Sequence, residues 1–258
     1  MRPRIALTLA GLAALAAPLL PLLARGQISA SDAALWQTLA TQLCWCGLAL
    51  LFALQVGGSV RERLGLLRGG LSAPRLLLGA LGTLALSGAL QFAVDALGLL
   101  PGSSLERLDS LASASAPSSP WLALAALGLA PGLGEELLFR GAIQRSLGRA
   151  LGAWCVPIAA LAFAALHADP VQSPAAFALG CYLGALGWVA ASSWLPIACH
   201  IANNCAALAP QLSSAASALL PRPGSWMQAA VWLVVSSLAL GWMFFSQRSA
   251  SRSGAASG

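Results

Sequence analysis

Charge is scarce in this chain, and lysine is missing from it altogether. Of 258 residues, eight are acidic and fourteen are basic, all fourteen arginine, so 9% charged stands against 58% hydrophobic. Soluble domains carry about 25% charged residues, and so few cannot cover a surface that faces water. A soluble globular class is excluded. Other absences narrow the chemistry. The six cysteines, Cys44, Cys46, Cys155, Cys181, Cys199 and Cys205, lie within apolar runs and have neither redox nor zinc-ribbon spacing, so they read as small buried hydrophobes rather than a disulfide framework. No Gly-x-Ser-x-Gly elbow marks a serine hydrolase, and no His-Glu-x-x-His marks a zinc protease. The net charge of +6 comes with no aromatic RNA-binding motif and no basic stripe, so nucleic acid is not expected as a partner.

What the chain has is apolar length. About 20 apolar residues cross a bilayer as a helix, and the pattern predicts helices at Ile5–Leu23, Ala33–Val56, Leu76–Leu100, Trp121–Arg149, Ala153–His167, Pro174–Ala191, Pro196–Leu212 and Trp226–Phe245. The expectation is an all-α polytopic membrane protein with about eight transmembrane helices. Arg2 and Arg4 before the first run resemble a signal peptide, but a run extending to Leu23 suits a spanning helix better. With the N-terminus inside, the inner segments hold Arg2, Arg4, Arg61, Arg63, Arg68, Arg75, Arg145, Arg149, Arg248 and Arg252. The outer ones hold Arg25, Arg107 and Arg222, which favours N-in and C-in. Pro101–Pro120 is polar and rich in Ser and Pro, a loop or short interfacial helix. The tail, residues 248–258, has the composition of a disordered segment. No internal repeat is evident.

Ionisable groups inside a bilayer are costly and mark functional sites by default. Three clusters qualify: Glu135, Glu136 and Arg140 in "GEELLFRG"; His167 in "FAALHAD"; and His200, Asn203 and Asn204 in "HIANN". They include both of the chain's histidines. Glu136 and Arg140, four apart, share a helix face and can pair, which alone would do no more than let the segment insert. Glu135 sits about 100° around the helix from Glu136 and is left without a local partner, so it is fit to act as a base. His200 and Asn204 share a face by the same spacing, as do Phe163 and His167, and Asn203 points elsewhere. A lone histidine in a helix is ordinarily a core residue; these two gain meaning beside the carboxylate.

Arg145–Trp154 reads as a tight turn, with Glu135 about fifteen residues before its centre and His167 about seventeen after, so a hairpin brings the two level. The third cluster begins near the end of its own helix, about 15 Å shallower. It joins the others only if the turn projects out of the bilayer. Pro131, Gly132 and Gly134 predict a kink that opens room beside Glu135.

A Glu-Glu pair with Arg four after the second Glu, then Phe-x-x-x-His, then His-x-x-x-Asn, in that order on separate apolar helices, resembles the CPBP family of intramembrane proteases. That family takes in the type II CAAX prenyl endopeptidases and bacterial proteins linked to bacteriocin processing and self-immunity. The resemblance covers about Trp121 to Leu212. It implies N-terminal helices and a polar loop over 1–120, a catalytic core over 121–212, a final transmembrane helix within 213–247 and the tail over 248–258. It further implies an endopeptidase acting on a membrane-associated protein or peptide at the lipid bilayer. Glu135 would be the general base that activates water, assisted by His167. His200 and Asn204 would stabilise the oxyanion, while Glu136 and Arg140 hold the site together.

The family is commonly labelled a metalloprotease. Were a divalent metal such as zinc bound, His167, His200 and Glu135 would be its ligands; a metal-free, glutamate-activated water suits the residues equally, so the cofactor stays open. Two rivals belong to other classes. One is a non-catalytic membrane scaffold or immunity factor that keeps the cluster; the other is a proton-coupled transporter using the carboxylates and histidines as a relay. Cys199 is adjacent to His200 but diverges by about 100°, which argues against a cysteine protease. Asp95 reads as a headgroup-level side chain. The all-arginine, Ala- and Gly-rich composition points to a bacterial plasma membrane.

Overall fold

The computed structural model describes residues 29–56, 58–67, 71–213, 215 and 223–255, with side chains up to 246. The expected helix Ile5–Leu23, Arg2, Arg4, Arg25, Arg68, Arg222 and the final residues of the tail lie outside the described residues, as do the side chains of Arg248 and Arg252. The elements are α1 (Ala30–Val56), the single turn α2 (Val60–Arg63), α3 (Ala73–Ala96), α4 (Ser104–Ser115) and α5, one continuous helical run over 120–151. A short 3₁₀ turn (Gly152–Trp154) leads into α6 (Cys155–Ala165), followed by α7 (Gln172–Ala190), α8 (Trp194–Leu212) and α9 (Trp226–Ala255). Among the described residues there is no strand. The all-α expectation holds, for the reason that lipid demands it: a helix satisfies its own backbone polar groups where no water is present to do so.

Large apolar side chains face outward, with Leu43, Leu161, Leu238 and Phe245 all more than 60% exposed, the inverse of a soluble protein. Five stretches among the described residues are long and apolar enough to cross a membrane: Ala30–Gln55, Ala73–Ala96, Pro120–Ala165, Gln172–Ala190 and Trp226–Ser246. The chain is a multi-pass membrane protein. Of the eight expected helices, Ile5–Leu23 lies outside the described residues, and two others are not separate stretches here for physical reasons. α6 has 11 residues, about 16 Å of helix, and shares the third stretch with α5. α8, with 19 residues, is diluted by His200, Asn203, Asn204 and Gln211.

The hairpin expected around residues 145–154 forms at Gly152, whose φ of +54° is one that glycine adopts without strain. α5 and α7 run parallel at a constant offset of 40 residues: Arg140 Nη2 donates to the Gly180 carbonyl at 3.1 Å, and Gln144 Nε2 to that of Gly184 at 2.9 Å. α6 returns between them, and Phe139, Phe163, Ala164 and Ala176 form the core where the three meet. α8 packs antiparallel on α5, with Gly128 against Cys205 and Gly132 against Ile201. α9 packs on α3 through Gly82 and Gly88, which face Ala239 and Trp232. Small residues at helix contacts are how bundles gain close packing in lipid.

No sharp break interrupts α5 at Pro131. Instead its ladder widens to i→i+5 over Leu124–Leu129 and again over Leu137–Gln144, with an α-helical stretch, Ala130–Glu136, between. Such wide turns are frequent at functional sites. The glycines serve approach rather than bending: a Cβ on Gly132 would lie 2.8 Å from the backbone nitrogen of Ile201, and one on Gly134 2.8 Å from the carbonyl oxygen of Gln42. These two residues let α8 and α1 close in on either side of Glu135.

The polar link over 101–120 is largely helical. α4 begins at Ser103, whose hydroxyl accepts from the Glu106 N–H, as an N-cap residue does. It docks on the link between α6 and α7: the buried Asp169 accepts from the backbone of Ser104 at 2.8 Å, Val171 at 2.9 Å and Gln172 at 2.8 Å. Those backbone donors, that of Gln172 above all and Ser104 and Val171 after it, outweigh the opposing effect of desolvation and draw the Asp169 carboxyl down to about 2.

Candidate functional site

The three polar clusters converge where α1, α5, α6 and α8 meet. Glu136 is fully buried, and Arg140 and His200 nearly so. Glu136 Oε1 forms an ion pair with Arg140, 2.9 Å from Nη1, and accepts a hydrogen bond from His200 Nδ1 at 2.8 Å. The guanidinium lies over the Phe163 ring, 4.7 Å from its centroid. The expected Glu136–Arg140 pair is therefore present, and Glu136 also holds a histidine 64 residues away. A carboxylate can only accept, so Nδ1 of His200 carries its proton. Nε2 then faces Glu135 Oε2 at 3.9 Å.

Glu135 is held from a direction the motifs do not include. Gln42, near the midpoint of α1 and buried, donates from Nε2 to Glu135 Oε1 at 3.0 Å. Its own Oε1 is buried without a hydrogen-bond partner. A buried unpaired acceptor is destabilising, so this amide contributes through its donor. α1, outside the stretch from Trp121 to Leu212 that carries the motifs, thus supplies a polar contact to the cluster. The signal was an amide in the middle of an apolar run, "LATQLCWC".

His167 lies half-buried in the turn just after α6, its Nδ1 on the Phe163 carbonyl at 3.1 Å. A carbonyl only accepts, so the neutral ring carries its proton there and leaves Nε2 as the acceptor. The imidazole stands edge to face on Phe163 with centroids 5.0 Å apart, and Phe163 likewise faces His200 at 6.3 Å. His167 is near enough to act on Glu135 electrostatically. The next residue, Ala168, has φ +48°, unfavourable for a residue with a Cβ, and it fixes where His167 leaves its helix.

Asn204 lies half-buried and Asn203 buried, with Asn203 Nδ2 on Asn204 Oδ1 at 3.4 Å. The sequence expectation had Asn203 pointing away. Spacing of three as well as four keeps residues on one helix face, so Asn203 also turns into the protein. Asp95 is exposed and accepts from Gln91 on its own helix at 2.9 Å.

The depth mismatch raised by spacing is absent. Arg145 Nη1 donates to the Ala191 carbonyl at 3.2 Å, which sets α5 at Arg145 level with the link that opens α8. The turn at Gly152 lies seven residues further, about 10 Å beyond. A metal site is not preformed: among the described residues no group of three or more His, Cys, Asp or Glu comes together as ligands. Glu135 and His200 face each other, but His167 does not complete the three protein donors that a catalytic zinc takes.

Buried carboxylates, an arginine and a histidine between apolar helices, with a second histidine half-buried beside them, define the class, a multi-pass membrane protein with an ionisable site inside its bundle. Residues 117–206 match the family model described as type II CAAX prenyl endopeptidase Rce1-like. The match takes in Glu135, Glu136, Arg140, His167, His200 and Asn204 and leaves out Gln42. No curated protein and no solved structure matches the chain.

Proposed function

We propose that this protein is an intramembrane endopeptidase that hydrolyses a peptide bond of a membrane-associated protein or peptide. One observation carries the reading: Glu135 Oε2 and His200 Nε2 face each other across 3.9 Å, each held from behind by its own buried partner, Gln42 for one and Glu136 for the other. That gap is too long for a hydrogen bond and suits two groups that share one oxygen atom between them.

Glu135 takes a proton from water as the oxygen attacks the substrate carbonyl, with Gln42 keeping the carboxylate in orientation and His167 beside it. The carbonyl π pair moves onto its oxygen. His200 in its protonated form, backed by Glu136, donates through Nε2 to that oxyanion, and Asn204 Nδ2 is the second donor. Collapse re-forms the carbonyl, breaks the C–N bond and returns the proton from Glu135 to the leaving amine. No step requires a metal, and the donor geometry supports the water-only route. Arg140 stays paired throughout and keeps Glu136 tolerable in lipid.

In this reading residues 121–212 form the catalytic core. The arginine distribution supports an N-in, C-in orientation with about eight crossings in a bacterial plasma membrane. The decisive test is cleavage of a diverse peptide library by the purified protein, read by mass spectrometry, against Glu135→Gln. Cuts that vanish in a normally inserted variant are expected. Cuts that persist would remove Glu135 from the chemistry, and no cuts by either protein would favour the scaffold reading. Cleavage is also expected to survive a zinc chelator; loss restored by added metal would overturn the metal-free route.

A further inference from the structure

Where α1 and α7 end and α8 begins, a cavity of about 620 Å³ opens at one end of the bundle. None of Glu135, His167, His200 and Asn204 lines it. Its walls are cationic: Arg63 from α2 and Arg145 and Arg149 from α5, with the buried Arg140 at the inner side. Arg140 is already paired with Glu136. Outside that pair, Arg145 and Arg149 line the cavity beside one acidic side chain, Glu62.

Two features show that this is more than a scatter of surface arginines. Arg145 and Arg149 are four apart on one helix, where like charges repel, and Arg145 is half-buried. Arg145 is also fixed in place. One donor is spent on the Ala191 carbonyl, and Gly65 packs so close that a Cβ there would lie 2.9 Å from Nη1. Four further guanidinium donors remain. Trp188 supplies a flat wall, its ring lying so near Gly148 that a Cβ there would meet it at 3.0 Å. Cations assembled against their own repulsion in a cleft are stabilised by an anion among them. Guanidinium forks match the oxygens of phosphate. The cleft opens at the ends of apolar helices, the level at which phospholipid headgroups lie.

We propose that this cavity binds a phosphate-bearing anion, at a site that adjoins the Glu135 cluster only at the buried, already paired Arg140 and is independent of whether that cluster cleaves peptides. The phosphate comes either from a phospholipid headgroup or from a free phosphoryl compound. The test uses the full chain in detergent. Native mass spectrometry compares retention of phosphatidylglycerol with that of phosphatidylcholine, and calorimetry titrates inorganic phosphate. Selective retention of phosphatidylglycerol without phosphate binding identifies the headgroup; phosphate binding without lipid selectivity identifies a free ligand. In either case affinity should fall about fivefold in Arg149→Gln and about twenty-five-fold when Arg145→Gln is added. Arg149 is exposed, so the single variant folds and decides the matter if the double variant does not. Absence of both lipid selectivity and phosphate binding overturns the proposal, as does binding that Arg149→Gln leaves unchanged.

Discussion

Glu136 places two partners on one oxygen and leaves its other oxygen buried with no hydrogen bond. Removing one partner of a buried ion pair strands a charge, at about 3–5 kcal/mol. Arg140→Ala is therefore expected to lower both yield and melting temperature in detergent, whereas Glu135→Gln should leave both near normal. An Arg140→Ala protein that melts with the wild type would show Glu136 to be otherwise compensated. Gln42→Leu keeps the bulk of the side chain and loses its donor. It should reduce kcat by about tenfold to a hundredfold with KM little changed, since a misplaced catalytic group acts on the chemical step; an unchanged kcat would mean that Gln42 only packs. The Glu136–Arg140 pair was legible in the sequence because helical periodicity alone makes it. The His200–Glu136 and Gln42–Glu135 contacts were not, because the partners are 64 and 93 positions apart in the chain and no local rule states which helices touch.

α5 is gripped on two sides, by α8 at Gly132 and by α1 at Gly134. Gly132→Val would push a branched side chain into the backbone of Ile201, which lies 2.8 Å from where its Cβ would be. Overpacking of this kind costs about 1–3 kcal/mol, and it should also abolish cleavage by separating His200 from Glu135. Full activity in a stable Gly132→Val protein would contradict that packing. Asp169 ties α4 to the start of α7 and is the element-level pH sensor. Its carboxyl sits at about 2, below its ordinary 3.8, so the native state favours the ionised form. The stabilisation is fully present above about pH 4 and is lost as pH falls toward 2. Asp169→Asn should lower the melting temperature at neutral pH and flatten its decline across that acid window, as a melting series between pH 6 and pH 2 would reveal. Helix positions were read well from apolar runs. The wide turns of α5 and the shortness of α6 were not, since hydropathy reports what is apolar and not how the backbone ladder is spaced.

Across the whole molecule, the turn at Gly152 and α2 lie toward one end of the bundle, while α4, docked beside Asp169, lies toward the other. A membrane-impermeant thiol reagent applied to intact cells should label Asp109→Cys and spare Ala150→Cys and Glu62→Cys. Labelling of Asp109→Cys and Ala150→Cys from the same side would refute that disposition. Membrane class, and the likeness of residues 117–206 to the CAAX endopeptidase family model, were legible because composition and three ordered motifs carry them. The lower crossing character of α8 and α6 was less legible, because α8 is polar for a span and α6 lacks the length of an independent one. The contact between Gln42 and Glu135 also has a bearing on biosynthesis. α1 leaves the ribosome long before α8, so the carboxylate and its amide can meet while His200 is still unmade. A chain cut short before α8 would keep both partners of the Gln42–Glu135 contact and lack the histidine that holds Glu136.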